Sequence, residues 1–370
     1  MKQSKCKWVR LGDYIEQSDG RNSQSLYGLD AIKGISTAKD FIETKANMEG
    51  VSLLSYKTVP PSYYAYVPDT SRRGDKMALG FNNSNKTYLI SSIYCVFHVT
   101  DTEVLLPEYL YLIYNRSEFD RYARFNSWGS AREVFTWEDM QNIRIPLPSI
   151  EEQQKVVNAW KAFREIKEQN EAIAAPLMQV CQSYIQELKH KYKKVEVGQF
   201  LSFNTEKNKD LEITLEQGLN IDKQFITPQR TNSDLSSRIK VRNGQFAYCT
   251  QLNNENVAIA LREGPDCVVS PVYAVFDNIR KDLVLDKYLF LWFARPEFGR
   301  YVYWASKGSA YEFLQQENLC SYKIPIPSIE IQQAIVNIYN CANEAKRIAE
   351  EADRKSREVC PALIQNIINS

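Results

Sequence analysis

Two short stretches of this sequence are nearly the same: residues 145–151 are IPLPSIE and residues 324–330 are IPIPSIE. Outward from them, residues 106–160 align with residues 285–339 without a gap, and a little under half of the positions are identical. Self-similarity of this extent at a fixed spacing is the signature of a repeated structural unit. The chain is therefore predicted to be a tandem duplication of one unit of about 180 residues.

The periodicity of hydrophobic residues changes at each copy of this motif. Before it, short β-rich runs such as residues 91–99 and 268–276 are broken by Gly, Pro and Asn, with a helical pattern near residues 107–121. After it, the pattern becomes helical and long. We predict a mixed α/β (α+β) chain with two globular domains in tandem, each followed by a long helix: a first domain at residues 1–148, a central helix at 149–190, a second domain at 191–327 and a C-terminal helix at 328–370.

Both predicted helices carry a narrow stripe of mostly apolar or small residues at three- and four-residue spacing. The stripes are Val156, Ala159, Phe163, Ile166, Asn170, Ile173, Leu177, Val180 and Tyr184 in the central helix, and Ile335, Ile338, Ala342, Ala345, Ala349, Ala352, Ser356, Val359 and Leu363 in the C-terminal helix. Such spacing is typical of coiled coils. We expect the two helices to form an antiparallel coiled coil with pseudo-twofold symmetry, and Pro176 and Pro361 to kink or break them. A helix of about 40 residues is about 60 Å long and would hold the two domains a fixed distance apart.

Composition argues against several classes of function. Lys plus Arg number 46 and Asp plus Glu 45, so the net charge of +1 gives no general attraction to nucleic acid or to an anionic membrane. No stretch approaches the roughly 20 apolar residues of a membrane span, and the first residues lack a signal-peptide core, so we expect a cytoplasmic protein without membrane contact. The eight cysteines form no C-x-x-C pair, and only His98 and His190 are present, so neither a metal site nor a hydrolytic triad is expected.

Two α/β domains that each close on G-S-x-x-E and I-P-x-P-S-I-E-x-Q-Q, each followed by a coiled-coil helix, resemble the specificity subunit of type I restriction-modification systems (the HsdS family). The resemblance covers essentially the whole chain. It implies that each domain is a target recognition domain for one half of a bipartite sequence in double-stranded DNA, and that the helices set the gap between the halves. It also implies that the subunit is not itself an enzyme.

The resemblance further implies partners that hold the cofactors. Two methyltransferase subunits would bind S-adenosylmethionine and methylate adenine N6, and restriction subunits would use ATP and Mg²⁺. The chain itself has no glycine-rich cofactor loop, no Walker A pattern and no [DNS]-P-P-[FY] tetrapeptide of the type that holds a flipped adenine. The nearest string, VPPS at residues 59–62, lacks the polar residue before the prolines and the aromatic residue after them.

In this family, the loop after the strand that here contains residues 63–66 or 245–248 contributes DNA contacts. The first copy places Arg72, Arg73 and Lys76 there, and arginine suits the O6/N7 edge of guanine while all three side chains can bind phosphate. The second copy places amides there, which suit the N6/N7 edge of adenine: Gln251, Asn253, Asn254 and Asn256. An ordinary polar turn between two strands remains the alternative for each residue.

Further candidates for DNA contact are basic, aromatic or Gly-Ser residues near these loops. They are Lys57, Tyr64, Lys86, Gly129, Ser130 and Arg132 in the first domain, and Arg230, Arg238, Lys240, Arg242, Tyr248, Gly308 and Ser309 in the second. The loops differ between the copies while the flanking strands match, so two different half-sites are expected rather than a palindrome. Because the net charge is close to zero, we expect the isolated chain to bind DNA weakly and to rely on basic surface of its partners.

A second hypothesis from a different class is an interaction protein, whose duplicated domains bind another protein or RNA without DNA specificity. The near-neutral charge favours it slightly. Methylome sequencing with and without the chain would separate the two hypotheses. A third hypothesis, that the chain is itself a methyltransferase or nuclease, is disfavoured because no cofactor or metal constellation is present in the sequence.

Overall fold

The chain folds into two compact units. The computed structural model describes residues 6–70, 76–128, 133–228, 234–252, 257–306 and 313–369. The first unit comprises residues 1–169 and 348–370, and the second comprises residues 170–347. Each unit therefore contains one globular domain and a part of each long helix.

The described part of the first unit begins with short strands and continues with helices. The strands are β1 Lys7–Arg10, β2 Ile15–Ser18, β3 Lys33–Ile35, β4 Phe41–Glu43, β5 Lys57–Val59, β6 Tyr64–Tyr66, β7 Leu79–Phe81, β8 Tyr88–Ile90, β9 Cys95–Val99 and β10 Arg144–Leu147. The helices are α1 Pro107–Tyr114, α2 Ser117–Phe125 and α3 Trp137–Gln141, followed by the long helix α4 Ile150–Lys191 that continues into the second unit.

The second unit repeats this order of elements. Its strands are β11 Lys194–Glu196, β12 Leu201–Asn204, β13 Gly218–Leu219, β14 Phe225–Ile226, β15 Ile239–Val241, β16 Phe246–Cys249, β17 Ile259–Leu261, β18 Cys267–Val269, β19 Tyr273–Asn278 and β20 Lys323–Pro325. Its helices are α5 Asp286–Phe293, α6 Pro296–Ala305 and α7 Gln316–Cys320, followed by the long helix α8 Ile329–Asn369. None of the helices in the described ranges has the length and hydropathy to cross a membrane.

A four-stranded antiparallel sheet lies at the centre of each unit. The strand order is β2-β9-β6-β7 in the first unit and β12-β19-β16-β17 in the second. The central pairs have the same register, with Tyr64 opposite Phe97 and Phe246 opposite Phe276. The mixed α/β fold with two tandem domains, predicted from the repeat, is confirmed.

Each central sheet buries both of its faces. Successive side chains of a strand point to opposite faces, so Tyr64 and Tyr66 lie in the large core with the helices, whereas Ala65 lies in a smaller core on the other side. The second unit repeats this division, with Phe246 and Tyr248 in its large core. A sheet covered on both faces leaves only its edges and its loops accessible to a ligand.

A buried glutamine joins the start of each long helix to its domain. The Leu106 N–H donates to Gln153 Oε1 at 2.9 Å, and Gln153 Nε2 donates to the carbonyls of Val104 at 2.8 Å and Pro148 at 3.1 Å. Gln332 makes the same three bonds in the second unit, to Leu285, Leu283 and Pro327. The first glutamine of each Q-Q pair therefore fixes the direction in which the helix leaves its domain.

The two long helices pack on each other within each unit. In the first unit, Lys167 Nζ lies 2.9 Å from Asp353 Oδ1, and Val156 shares one core with Cys360 and Ile364. Residue numbers fall along α4 as they rise along α8, so the packing is antiparallel. In the second unit, Cys181 lies beside the carbonyl of Ile335, and both belong to the same core.

The structure corrects two details of the helix prediction. Of the predicted kink or break at Pro176 and Pro361, the break is wrong, because α4 and α8 continue through both prolines. The buried face of α4 is displaced by about one residue from the predicted stripe: Ile166, Ile173, Val180 and Tyr184 are 41–50 % exposed, whereas Val157, Trp160, Cys181, Ile185 and Leu188 are buried. In α8 the alanines at 342, 345, 349 and 352 are buried as predicted, but Val359 is exposed and Cys360 takes its place in the core.

The duplication also includes a loop near the start of each domain. Asn22 is buried, accepts the N–H of Tyr27 at 3.1 Å and donates to its carbonyl at 3.0 Å. Asn208 makes the corresponding pair of bonds with Ile213 at 3.2 and 2.8 Å. A short loop closed by one asparagine side chain is therefore common to both units.

Candidate nucleic-acid interface

The connection between β6 and β7, residues 67–78, contains the first predicted recognition loop. Its ends are joined by a hydrogen bond from the Val67 N–H to the Ala78 carbonyl at 3.0 Å. The connection between β16 and β17, residues 250–258, is closed in the same way by the Cys249 N–H and the Ala258 carbonyl at 2.8 Å. Both connections therefore leave the sheet at equivalent points, beside the edge strand.

A second segment of each unit meets the start of this connection. In the first unit a β-bridge pairs Asp69 with Val134, and the Thr70 N–H donates to the Glu133 carbonyl at 2.9 Å. In the second unit Gln251 pairs with Phe313, and the Leu314 N–H donates to the Thr250 carbonyl at 2.8 Å. These partners lie within five residues of the two Gly-Ser motifs. Each connection therefore meets a segment that is far from it in sequence and close to a predicted contact motif.

Eleven of the predicted contact residues lie outside the described residues. They are Arg72, Arg73, Gly129, Ser130 and Arg132 in the first domain, and Arg230, Asn253, Asn254, Asn256, Gly308 and Ser309 in the second. The described residues on either side fix where these segments begin and end.

The described candidates of the first domain divide by burial. Tyr64 is fully buried, and its hydroxyl donates to the Pro107 carbonyl. Lys57 is buried with its Nζ 3.0 Å from Asp19 Oδ1, and the hydrogen bonds from Lys57 and Arg21 hold the pKa of Asp19 below its usual value. Lys76 and Lys86 are exposed. Tyr64 is therefore withdrawn as a contact, because a core side chain cannot reach DNA in this conformation.

Two candidates of the second domain also belong to its interior. Tyr248 is fully buried in the core. Lys240 is 1 % exposed, and its Nζ lies 2.6 Å from Asp210 Oδ2. The hydrogen bond to Asp210 raises the pKa of Lys240. Tyr248 is withdrawn for the same reason as Tyr64, whereas Lys240, like Lys57, is buried against a carboxylate.

Other basic candidates of the second domain are paired with acidic side chains. Arg238 Nε lies 2.6 Å from Glu216 Oε1, and Arg242 lies 3.1 Å from Glu206 and 3.3 Å from Asp266. Arg242 is nevertheless half-exposed, and Gln251 is exposed at the bridge to Phe313. Among the described candidates, Lys76, Lys86, Arg242 and Gln251 therefore have side chains at the surface.

Exposed aromatic residues beside the Gly-Ser motifs were missed by the sequence analysis. Phe125 and Trp128 are 74 % and 70 % exposed, with ring centroids 6.3 Å apart. Trp304, at the position equivalent to Phe125, is 70 % exposed. Exposed aromatic rings suit base stacking as well as protein contact. An aromatic residue kept at matched positions of the two copies was the available signal.

The acidic, histidine and cysteine residues do not form a metal site in the part of the chain that the structure describes. No group of three or more such side chains there is placed to hold a metal ion. The chemistry that the described site offers is hydrogen bonding, ion pairing and stacking.

Comparisons with known proteins place the chain in a family. Residues 72–175 and 189–340 match the family described as type I restriction modification DNA specificity domain. The comparison with curated protein sequences found no match. Among solved structures, the type I restriction-modification S subunit from M. genitalium has a TM-score of 0.64 and 11 % identity, over 99 % of this chain and 97 % of that one.

Two further solved structures are similar over most of their length. The HsdS subunit from Thermoanaerobacter tengcongensis has a TM-score of 0.36 and 16 % identity, over 98 % of this chain and 96 % of that one. A chain from work on complex assembly and conformational transition of the type I R-M system has a TM-score of 0.43 and 15 % identity, over 98 % and 97 %. The two family matches together span more than half of the sequence, one in each copy of the repeat. The chain belongs to the DNA specificity family of type I restriction-modification systems.

Proposed function

We propose that this chain is the DNA-recognition subunit of a type I restriction-modification complex and reads an asymmetric bipartite target, one half-site per domain. The observation that carries the proposal is the meeting, in each unit, of the strand connection and the segment after the Gly-Ser motif. Equivalent bridges at Asp69 and Gln251 hold the two connections at the same place in their units, although the connections differ in sequence. The same backbone arrangement with different loop sequences suits two different half-sites.

The side-chain types in the connections support different base preferences in the two halves. Residues 67–76 carry two arginines and a lysine, whereas residues 250–256 carry one glutamine and three asparagines. Arginine favours guanine and amides favour adenine in the major groove. We therefore expect guanine among the bases read by the first domain and adenine among those read by the second.

The chain has no catalytic role in this proposal. Two methyltransferase subunits would supply S-adenosylmethionine and the transfer to adenine N6, and restriction subunits would supply ATP- and Mg²⁺-dependent cleavage. The long helices act as scaffold and set the gap between the half-sites. Their repeated attachment through Gln153 and Gln332 supports a fixed geometry of each domain on its helix.

The test is methylome sequencing of cells that express the chain with a type I methyltransferase subunit. We expect N6-methyladenine at one asymmetric split sequence, and none when the chain is omitted. Replacing residues 1–148 by another target recognition domain should change one half of the sequence only. Replacing residues 191–327 is the matched exchange and should change the other half. A change of both halves, or of neither, in either exchange would contradict the proposal that each domain reads one half-site.

One observation favours a second candidate, an interaction protein that binds protein or RNA. Several basic side chains of the second domain, among them Lys240 and Arg238, are paired with carboxylates rather than presented to a polyanion. This candidate expects that no methylation pattern depends on the chain. The same methylome therefore decides between the two.

A further inference from the structure

A lysine occupies the same strained turn position in both units. Lys39, in the β3–β4 turn, has φ of 66°, and Lys223, in the β13–β14 turn, has φ of 64°. The turns have the same hydrogen bonds: the Lys39 N–H donates to the Ser36 carbonyl at 3.1 Å, and the Lys223 N–H donates to the Asn220 carbonyl at 3.3 Å. Glycine and asparagine are the usual residues at such a left-handed position. A lysine at this position in both copies indicates that its side chain has a specific role.

Both lysine side chains reach the far end of the recognition connection of their own unit. Lys39 is 4 % exposed, and its Nζ lies 2.6 Å from Asp120 Oδ1. The same carboxylate oxygen accepts the N–H of Met77 at 3.0 Å. In the second unit, Lys223 Nζ donates directly to the carbonyl of Val257. Met77 and Val257 are equivalent, since each stands two residues before the edge strand β7 or β17.

The difference between the two contacts follows from one position in the repeat. Asp120 aligns with Gly299, which has no side chain to mediate the contact. Where the carboxylate is present, the ammonium group holds it against the loop backbone; where it is absent, the ammonium group binds the loop backbone itself. The residues that make the contact differ between the two copies, but in both copies the contact reaches the backbone two residues before the edge strand.

Lys39 is buried and Lys223 is partly buried. The Lys39 Nζ also lies 5.6 Å from the centroid of the Phe119 ring. Burial lowers the pKa of Lys39 and lowers that of Lys223 to about 8, while the carboxylates of Asp120 and Asp222 oppose the shift. A solvated surface lysine has neither a strained backbone nor a desolvated ammonium group, so these are not ordinary surface charges.

We propose that Lys39 and Lys223 are positioning residues that fix the exit of the β6–β7 and β16–β17 connections and thereby sharpen base discrimination in the half-site of their own domain. The start of each connection is already held by the bridge at Asp69 or Gln251. The lysine holds the end, so that each connection is fixed at both of its ends. The effect on bases rests on the proposed function, whereas the effect on the connection does not.

The first arm of the test measures the connection in the isolated full chain. Lys39→Gly and Lys223→Gly remove the ammonium group but favour the left-handed turn, so both variants are expected to fold; Lys39→Met and Lys223→Met keep the aliphatic stem as a second pair. Hydrogen exchange should quicken in peptides covering residues 76–81 for the Lys39 variants and residues 257–261 for the Lys223 variants, without a change elsewhere. Unchanged exchange in a variant's own connection would overturn the proposal.

The second arm measures base discrimination by methylome sequencing with the methyltransferase partner. Each variant should lose about tenfold in discrimination at one or more positions of its own half-site and none in the other half. Lys33→Gln is the control for the first unit, since Lys33 pairs with Glu43 across the same β3–β4 hairpin and lies over the Tyr88 ring. Faster exchange with unaltered discrimination would overturn the specificity role. If the wild-type chain directs no split-site methylation, the proposed function fails while the exchange arm still decides whether the lysines hold the connection.

Discussion

The two glutamines of each I-P-x-P-S-I-E-x-Q-Q motif have opposite environments. Gln153 is fully buried and makes three hydrogen bonds, whereas Gln154 is exposed and bonds to Asn158, one turn along its own helix. Gln153→Ala should lower the free energy of unfolding by about 2–4 kcal/mol, because it leaves the Leu106 N–H and two carbonyls without their partner and opens a small cavity. Urea denaturation of the purified chain measures this.

Gln154→Ala is the matched control and should change the free energy of unfolding by no more than about 0.5 kcal/mol. The second copy offers the same comparison, with Gln332 buried and Gln333 bonded within its helix to Asn337. Equal effects of the two substitutions in a pair would contradict the assignment of the first glutamine as the attachment of the helix.

The carboxylate of Glu297 links the end of α4 to the second domain. Glu297 accepts hydrogen bonds from Arg295 Nη2 at 2.5 Å and Lys189 Nζ at 3.2 Å. Burial alone would raise the pKa of Glu297, but the bonds from Arg295, its own backbone N–H and Lys189 outweigh burial and hold it at about 2. Because the folded pKa lies below the unfolded value, the stabilisation is present above about pH 4.5 and is lost as the pH falls towards 2.

We expect Glu297→Gln to lower the free energy of unfolding at pH 7 by about 1 kcal/mol, after allowance for solvent screening of a partly exposed pair. The variant should also lose less stability than the wild type between pH 4.5 and 2. Urea titrations at a series of pH values measure both effects. Glu187→Gln, which removes an exposed pair with Lys191 on α4, should leave the acid limb unchanged. Parallel acid limbs for wild type and Glu297→Gln would refute the linkage.

Residue type alone did not separate surface from core in the candidate site. Tyr64 and Lys240 belong to types that bind DNA, yet the alternation of β6 turns Tyr64 into the helical core and three carboxylates surround the Lys240 ammonium group. Conversely, Phe125 and Trp304 belong to types that fill cores and are exposed. Burial depends on partners distant in sequence, such as Pro107 for Tyr64, and no local pattern contains that information.

At the scale of elements, the long helices were predictable but the buried face of α4 was not. The predicted stripe followed apolar residues, whereas the buried face includes Gln153, and Lys167 pairs with Asp353 along it. A polar residue whose hydrogen bonds are satisfied is buried as readily as an apolar one. Apolar spacing therefore located the face only to within about one residue. In α8, where alanines line the contact, the prediction was correct for most positions.

The proline inside α4 gives an element-scale prediction. Pro176 is exposed and lies within a continuous helix, so it costs an intrahelical hydrogen bond without a burial contribution to offset it. Pro176→Ala should raise the free energy of unfolding by about 1–3 kcal/mol in urea denaturation. Ala172→Gly, at another exposed position of α4, should lower it by about 1 kcal/mol and shows that this part of the helix contributes to the measured transition. A destabilised Pro176→Ala together with a destabilised Ala172→Gly would mean that the helix requires the proline.

At the scale of the whole molecule, the duplication was evident from sequence only where the copies share residue types. Residues 106–160 and 285–339 align by identity, but the loops closed by Asn22 and Asn208 share little beyond that asparagine. Their common hydrogen bonds emerge in the structure because one side chain suffices to close the loop. The Lys39 and Lys223 turns were overlooked for a related reason: a left-handed backbone has no signature in a sequence when the residue there is a lysine.

The charge of the whole chain predicts how it binds DNA without its partners. The net charge is +1, and several basic side chains of the second domain are paired with acids. Each phosphate neutralised by a protein contributes about −0.9 to the slope of log K against log salt concentration. The isolated chain should therefore give a slope no steeper than about −3 in fluorescence anisotropy on duplex DNA between 50 and 200 mM salt, and a complex with methyltransferase subunits should give a steeper one.

Glu206→Gln combined with Asp266→Asn releases the half-exposed Arg242 from both of its carboxylates and should steepen the slope of the chain by about one unit if Arg242 faces phosphate. A slope near −6 for the unmodified chain would show that a local basic surface, rather than the charge sum, governs its DNA binding.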